Sequence, residues 1–502
     1  MTSATFPSRP TGPMGLTARV LVPLLAALVL AGCATDPAVD TAQLVPVPAQ
    51  FREQAAPAAG NGHWTLAAPA EAQPRGAWWL SFQDPVLQDL VERAGARNTG
   101  IQEAAARLAQ ARALVRSANA DRLPQVGLGG GAVRQAGANT VNGMTPATIA
   151  TAGANFSYEV DLFGRLAKAR DAASLDAESR AALLQSTRLL VQAETAQTYL
   201  SLRAVDAERA LVRETVEAYR DTQNLIERRY NAGDVAELDL VRVQTEVAST
   251  ESDALALDRR RAELEHALAV LVGDTATDFS LAAGEWTTAL PAIPAGVPGT
   301  VLARRPDVSA AQASLLAAQA RVGVAQAAWF PSVTLTGSGG FASPQVSDLL
   351  QWSARAWSIG ALLSLPVFDG GRRQAGIEGA RAQLDAATAG YRGQVLGAFR
   401  DVEDQLSGLR LLADQAAVQD RAVVSARRAT VLSDSRYRNG LVSQLDLLDA
   451  RRSELANRRQ ALQVQSARYQ ATVGLIRALG GAWDTPASVV SQATAPVAVA
   501  LH

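Results

Sequence analysis

Cys33 is the one cysteine of the 502-residue chain, and it stands where a cysteine can do chemistry. Arg9 and Arg19 precede an apolar run at residues 20–31, which closes with Leu30, Ala31 and then Gly32 immediately before Cys33. A helix that spans a membrane needs about 20 apolar residues, so this run is too short and has the layout of a secretory signal. Small residues directly before a cysteine at that point have the form of a bacterial lipobox. The chemistry there is acylation of the thiol with diacylglycerol, cleavage before Cys33, and acylation of the new amine with a fatty acid such as palmitate. The plainer alternative is an ordinary signal with an incidental cysteine. With Cys33 alone, no disulfide forms within the chain.

Other reactive residues are scarce. His63, His266 and His502 are the three histidines, so neither a catalytic triad nor a His-rich metal site is expected. Gly127, Gly129, Gly130 and Gly131 faintly suggest a phosphate loop, but they follow Pro124 inside a strand pattern. They also lack the Gly-Lys-Ser/Thr ending that a phosphate loop needs, so no catalysis and no cofactor are expected. Lys and Arg total 47 against 48 Asp and Glu, giving a net charge of −1 and no reason to expect nucleic acid. Aromatic residues are 5% of the chain, which suits long helices with close-packed faces better than a large mixed core.

Residues 33–75 are rich in Ala, Pro and Gln and read as a lipid-anchored tether with a little ordered structure, after a signal peptide at 1–32. Ala34 rather than Asp follows Cys33, which by the bacterial sorting rule favours the outer membrane. No later stretch is apolar and long enough for a membrane helix, so any membrane-spanning part must be built of strands.

The remainder is one unit written twice. At an offset of 207, Pro124 maps to Pro331, Gly164-Arg165 to Gly371-Arg372, and Arg229-Tyr230 to Arg436-Tyr437. The same offset carries Gly233 onto Gly440, Leu238-Asp239-Leu240 onto Leu445-Asp446-Leu447, and Gly273 onto Gly480. The boundaries read as a first repeat at 76–273, an equatorial segment at 274–300, a second repeat at 301–483, and a disordered tail at 484–502. Each repeat predicts a helix (84–122, 301–329) stopped by a proline, a strand pair, a long helix (165–229, 372–436), a glycine turn and a return helix. A helix from 165 to 229 would run about 100 Å, far beyond the usual globular length.

Ala154, Phe156, Tyr158 and Val160 alternate with Asn155, Ser157, Glu159 and Asp161. Residues 332–336 and 359–367 alternate likewise. This is the weak signature of a membrane barrel, though a half-buried soluble sheet has the same pattern. Four strands cannot close a barrel in lipid. Two chains would give eight strands, with an interior filled by side chains, whereas three would give twelve and a lumen. The fold class expected is therefore mainly α with a small β part. It is a tandem structural repeat, a long-helix α-barrel plus a transmembrane β-barrel completed by trimerisation, with four strands per chain.

These stretches resemble the TolC/OprM-like outer-membrane factors, in particular the lipoprotein outer-membrane subunits of RND-type efflux systems. The matches are Trp78-Trp79 through Asp84-Pro85-Val86-Leu87, Leu162-Phe163-Gly164-Arg165 and Arg304-Arg305-Pro306-Asp307-Val308. Further ones are Ala327 to Leu335, Val367-Phe368-Asp369-Gly370-Gly371-Arg372, and Arg436-Tyr437 through Gly440. Asn98-Thr99-Gly100-Ile101 departs from the family's Asn-Pro-Asp-Leu and affects a helix start. The resemblance implies a homotrimeric, non-enzymatic exit duct in the outer membrane, closed at rest at a periplasmic helical tip. A periplasmic adaptor protein would bridge it to an inner-membrane RND-type transporter. It further implies that Leu445, Asp449 and Arg452 form the constriction, with Arg242 at the repeat-equivalent place of Asp449, able to pair between the two corners. Gly233, Asp234, Gly440 and Ser443 are the implied adaptor contact. The bland alternative makes the charges a solvated helix face and the glycines mere turn residues. Other readings are a static coiled coil, and a duct for type I protein secretion or metal efflux.

Overall fold

The computed structural model describes residues 44–48, 50–55, 64–65, 76–136, 146–291, 293–294, 301 and 304–481. Cys33, the signal segment and the 484–502 tail lie outside the described residues. In chain order the elements are β1 (Trp64–Thr65), α1 (Pro85–Arg97), α2 (Thr99–Ala120), β2 (Gln125–Gln135), β3 (Ala147–Val160), α3 (Arg165–Asn231) and α4 (Glu237–Val272). The second half continues with β4 (Ile293–Pro294), α5 (Pro306–Ala327), β5 (Ser332–Ser343), β6 (Arg355–Ser364), α6 (Arg372–Arg438) and α7 (Gln444–Ala478).

The chain divides into two units. One contains Arg116–Ala172 and Leu316–Leu384, the other Ala42–Val115, Ala173–Leu315 and Asp385–His502. In the first, four strands form one antiparallel sheet in the order β2-β3-β5-β6. Each repeat supplies one hairpin. Helices α2 and α5 stop at Ala120 and Ala327, a few residues before Pro124 and Pro331, because proline cannot donate to a helix.

The second unit is mainly helical and holds most of α3 and α6, whose first turns belong to the sheet unit. Helices α3 and α6 have 67 residues each and no proline. At 1.5 Å per residue each is about 100 Å long. The single helix expected over 84–122 is two helices. Asn98 takes an extended backbone between α1 and α2. Its Oδ1 accepts from Gly100 N at 2.9 Å and its Nδ2 donates to the Leu271 carbonyl at 2.9 Å. The residue caps one helix and ties the break to the end of another, at the place where the sequence departs from the family pattern.

Repeat equivalence extends to backbone packing. A Cβ at Gly273 would lie 2.7 Å from the Arg97 carbonyl oxygen, and one at Gly480 would lie 2.8 Å from that of Arg304. Both glycines have positive φ, so each is required twice over.

The helical core gathers around Asp84. Its Oδ1 accepts from Val86 N at 3.0 Å and Leu87 N at 3.1 Å, capping α1. Its Oδ2 accepts from the Tyr199 hydroxyl at 2.8 Å and the Thr288 hydroxyl at 2.7 Å. Phe82, Leu87, Leu90, Leu202, Leu268 and Ile476 close over this cluster. Burial pushes the Tyr199 hydroxyl up to about 12, so it stays a donor. Part of the expected tether is fixed here too. Phe51 is 1% exposed, and Glu53 accepts from Arg410 Nε at 2.8 Å. One buried aromatic and one ion pair hold a segment whose composition reads as loose chain.

Asp84→Ala should lower stability by about 2–4 kcal/mol, from a lost cap and two hydroxyl donors left without their acceptor. Asp84→Asn, which keeps the cap acceptor, should cost less. Denaturant midpoints followed by circular dichroism in detergent would separate the two; equal midpoints for wild type and Asp84→Ala would refute the role.

A two-faced sheet and two helix corners

Strand register decides which side chains share a face. Residues directly opposite in antiparallel strands point the same way. Val126 pairs with Phe156, Phe156 with Gly337, and Gly337 with Ile359. Leu128 pairs with Ala154, Tyr158 with Leu335, and Val333 with Leu363. One face is therefore apolar across all four strands. The other carries Asn155, Ser157, Thr334, Thr336, Ser338 and Ser358, with a 2.8 Å hydrogen bond between the last two hydroxyls. Within the chain the apolar face is bare: Leu128 is 88% exposed, Ile359 83% and Trp357 77%. Aromatic residues mark both ends. Phe163 stacks on Phe330 at 4.6 Å near the helix attachments, and Trp352 and Trp357 stand at the hairpin-tip end. A bare apolar face with aromatic ends fits a lipid solvent, and the polar face fits a lumen.

Strands β3 and β5 leave no room for a side chain at Gly153 and Gly340, which face each other in register. A Cβ at Gly340 would come within 2.3 Å of the Ala152 carbonyl oxygen, and one at Gly153 within 2.6 Å of that of Gly339. The strands pass into helices through acid caps. Asp161 accepts from Leu166 N at 3.1 Å and Ala167 N at 2.7 Å, and Glu159 clasps Arg165 through both carboxylate oxygens at 2.8 Å.

In the helical unit, the two corners repeat one geometry. Gly233 N donates to the Tyr230 carbonyl and Gly440 N to that of Tyr437, both at 2.9 Å, and both glycines have positive φ. The next amides, of Asp234 and Leu441, return to Arg229 and Arg436. The starts of the return helices differ. Ser443 and Asp446 form a capping box, whereas Ala236 offers α4 no side-chain cap. The Ser443 hydroxyl and amide hold the Asp446 carboxyl below its usual range.

Leu445, Asp449 and Arg452 share one face of α7, at spacings of four and three residues. Asp449 and Leu445 are exposed. Arg452 Nη1 donates to Asp449 at 3.1 Å, and its Nη2 pairs with Glu246 of α4. That hydrogen bond, working against burial, raises the Arg452 guanidinium above its ordinary value. One turn pair further along, Arg459 contacts Glu208 at 2.7 Å and Asp253 at 2.8 Å. Arg452 and Arg459 are seven apart, as are Glu246 and Asp253, so the pairs form successive rungs. Arg242 does not join the corners within the chain; it lies 3.9 Å from Asp239 of its own helix. The cross-corner pair belongs to Arg452 and Glu246 instead, because their helical faces oppose. Glu246 was not singled out from the sequence, although its seven-residue spacing to Asp253 was visible there. Arg451 was also missed: it donates to the Thr222 hydroxyl at 2.6 Å and pairs with Asp434 at 3.3 Å.

The Arg305-Pro306-Asp307 stretch has its own structural task. Arg305 reaches Asp307 at 2.6 Å and Asp401 of α6 at 3.2 Å. Burial opposes the charge of Asp307, and the Arg305 hydrogen bond outweighs it, keeping the carboxyl below its ordinary range.

A sheet with a lipid-ready face, two open edges and long attached helices defines a subunit of an oligomeric membrane duct. The chain belongs to the outer membrane efflux protein family, whose model matches residues 90–274 and 297–481, once per repeat. OprJ, an outer membrane protein of Pseudomonas aeruginosa, is 32% identical over 479 residues, covering 93% of this chain and 96% of OprJ. The cation efflux system protein CusC of Escherichia coli O6:H1 is 30% identical over 472 residues, covering 92% of this chain and 99% of CusC. The solved structure of the outer-membrane channel OprN superposes with a TM-score of 0.79 at 30% identity, covering 87% of this chain and 97% of OprN. The protein is thus an outer-membrane channel of a tripartite efflux pump, a transport duct rather than an enzyme. Members of the family form trimeric channels that work with efflux-pump partners. The four strands complete a β-barrel, and the long helices an α-barrel, on trimerisation. Nothing in these likenesses favours a type I secretion duct, and cation transport is a property of CusC.

Gly340→Val should abolish most trimer assembly, because a side chain there meets backbone and overpacking of that kind costs about 1–3 kcal/mol or more. Gly339→Val, beside it, points into open space and should be tolerated. Native gels of outer-membrane fractions read the result; normal trimer from Gly340→Val would contradict the steric account.

Proposed function

We propose that the chain is the lipid-anchored exit duct of an RND-type efflux system, carrying small molecules such as drugs and toxic compounds from periplasm to exterior. Its helices extend into the periplasm, where an adaptor protein bridges them to the inner-membrane transporter that supplies energy. Cys33 carries the acyl chains. Each buried CH₂ adds about 0.8 kcal/mol, so several chains give a durable anchor.

The observation that carries the gate reading is the common face of Leu445, Asp449 and Arg452, with Arg452 tied to Glu246 across the corner. Threefold symmetry would turn Leu445 into an apolar plug and Asp449 into an acidic ring. Arg242 adds a cation beside that ring, held back by Asp239. The Arg452–Glu246 pair keeps α7 against α4 and the constriction narrow. The exposed Arg452–Asp449 pair contributes only about 0–1 kcal/mol, so a docking adaptor can displace it. Gly233, Asp234, Gly440 and Ser443 are exposed at the corners, and they are where that adaptor docks.

Two experiments test this. In planar bilayers, wild type should pass small, flickering currents, and the Asp449→Ala/Arg452→Ala double variant currents several times larger. Unchanged conductance would remove the gate, and no current from either protein would remove the open lumen. For the anchor, Cys33→Ser should lose incorporation of labelled palmitate while the trimer still forms; equal label in both would assign the lipid elsewhere.

A further inference from the structure

The apolar face of the sheet carries two charged strand residues, and they sit at the same end. Arg134 pairs in register with Thr148 near the end of β2. Arg355 opens β6 and pairs with Phe341, which in turn pairs with Ala152. Thr148 and Ala152 share a face of β3, so both arginines share it as well. This end holds the hairpin connections; the helices attach at the other.

Strands β2 and β6 are the two edges of the sheet. When copies close the barrel, β6 of one subunit meets β2 of the next, antiparallel and with the hairpin ends together. Arg355 and Arg134 of the partner subunit are thereby brought to the same end of the junction, on the lipid side. Cations gathered at one end of the junction repel, and neither has a carboxylate partner among the described residues. The connection at 136–146 contains no Asp or Glu, and the one at 344–354 contains Asp348 alone. Asp348 accepts from Gln351 Nε2 at 3.0 Å and lies beside Ser347. Arg355 is held in place: its guanidinium lies 3.6 Å from the Trp352 ring centre, and its Nε donates to the Trp352 carbonyl at 2.7 Å. An arginine on the lipid face is tolerated near the membrane interface and costly at the midplane, so this position calls for an anion at headgroup depth.

We propose that Arg355 and Arg134 of the partner subunit together hold a phosphate of an outer-leaflet glycolipid, whose acyl chains lie along the apolar face below. Three such sites ring the trimer, one at each subunit junction. The assignment to the outer leaflet rests on the periplasmic orientation of the helices proposed above; the arginine pair does not.

Purified full-length trimer would be titrated with bisphosphorylated lipid A and followed by native mass spectrometry. Wild type should retain up to three lipids, and the R134Q/R355Q double variant should bind at least tenfold more weakly. Dephosphorylated lipid A should bind wild type as weakly as phosphorylated lipid binds the variant. Equal retention by wild type and variant, or equal retention of the dephosphorylated lipid, overturns the site. So does inorganic phosphate displacing the lipid at low millimolar concentration, which would make it a free-anion site. Orientation is read separately: Ser347→Cys should react with an impermeant maleimide on intact cells. Labelled cells with no lipid retention would refute the phosphate site alone. Unlabelled cells with lipid retention would refute the orientation, and with it the outer-leaflet assignment.

Discussion

A strand edge left unpaired in hydrocarbon exposes a row of amide and carbonyl groups that no water can reach. Each chain here makes a four-stranded sheet with two such edges, β2 and β6. The sheet is therefore incomplete by itself, and closure by identical copies is a physical requirement of its environment. That requirement also explains the bare apolar face, which would be a defect in a water-soluble sheet. It sets the register as well, since a slip of one residue would turn Phe156, Leu335 and Ile359 into the lumen.

The same economy shapes the helical unit. A helix of about 100 Å cannot be stabilised by its own propensity and depends on neighbours along its whole length. Small residues allow close approach, and arginine–carboxylate rungs every seven residues keep α4, α3 and α7 in register. Ion pairs suit this task better than a broad apolar seam would. They define alignment through directional, charge-assisted hydrogen bonds, which a broad apolar seam lacks. The Asp84 cluster ties a half-buried carboxylate through both of its oxygens at a point where no movement is wanted.

Much of this was legible in the sequence because it rests on periodicity and on residues with fixed meanings. The repeat, the proline stops, the glycine corners and the strand alternation need only local rules. The long helices end at Asn231 and Arg438, two residues past the expected ends. The break at Asn98 was not legible as a break, because its cap is completed by a contact to Leu271, remote in sequence. The packing of Phe51 was hidden in the same way by the bland composition around it. At the corners, the face shared by Leu445, Asp449 and Arg452 follows from spacing alone. Their partners do not. Arg452 has several acids within sequence reach, and only the relative rotation of α4 and α7 selects Glu246. That rotation also leaves Arg242 against Asp239 rather than across the corner.

By itself, then, the sequence determined the period of each element, the duplication, the alternation of faces and the residues available at each turn, since these depend on spacing along one chain. Tertiary structure decided which charges meet, which glycines are crowded and which arginines share the lipid face. Those outcomes depend on register and rotation between elements far apart in the chain, and a one-residue difference in either would have chosen other partners.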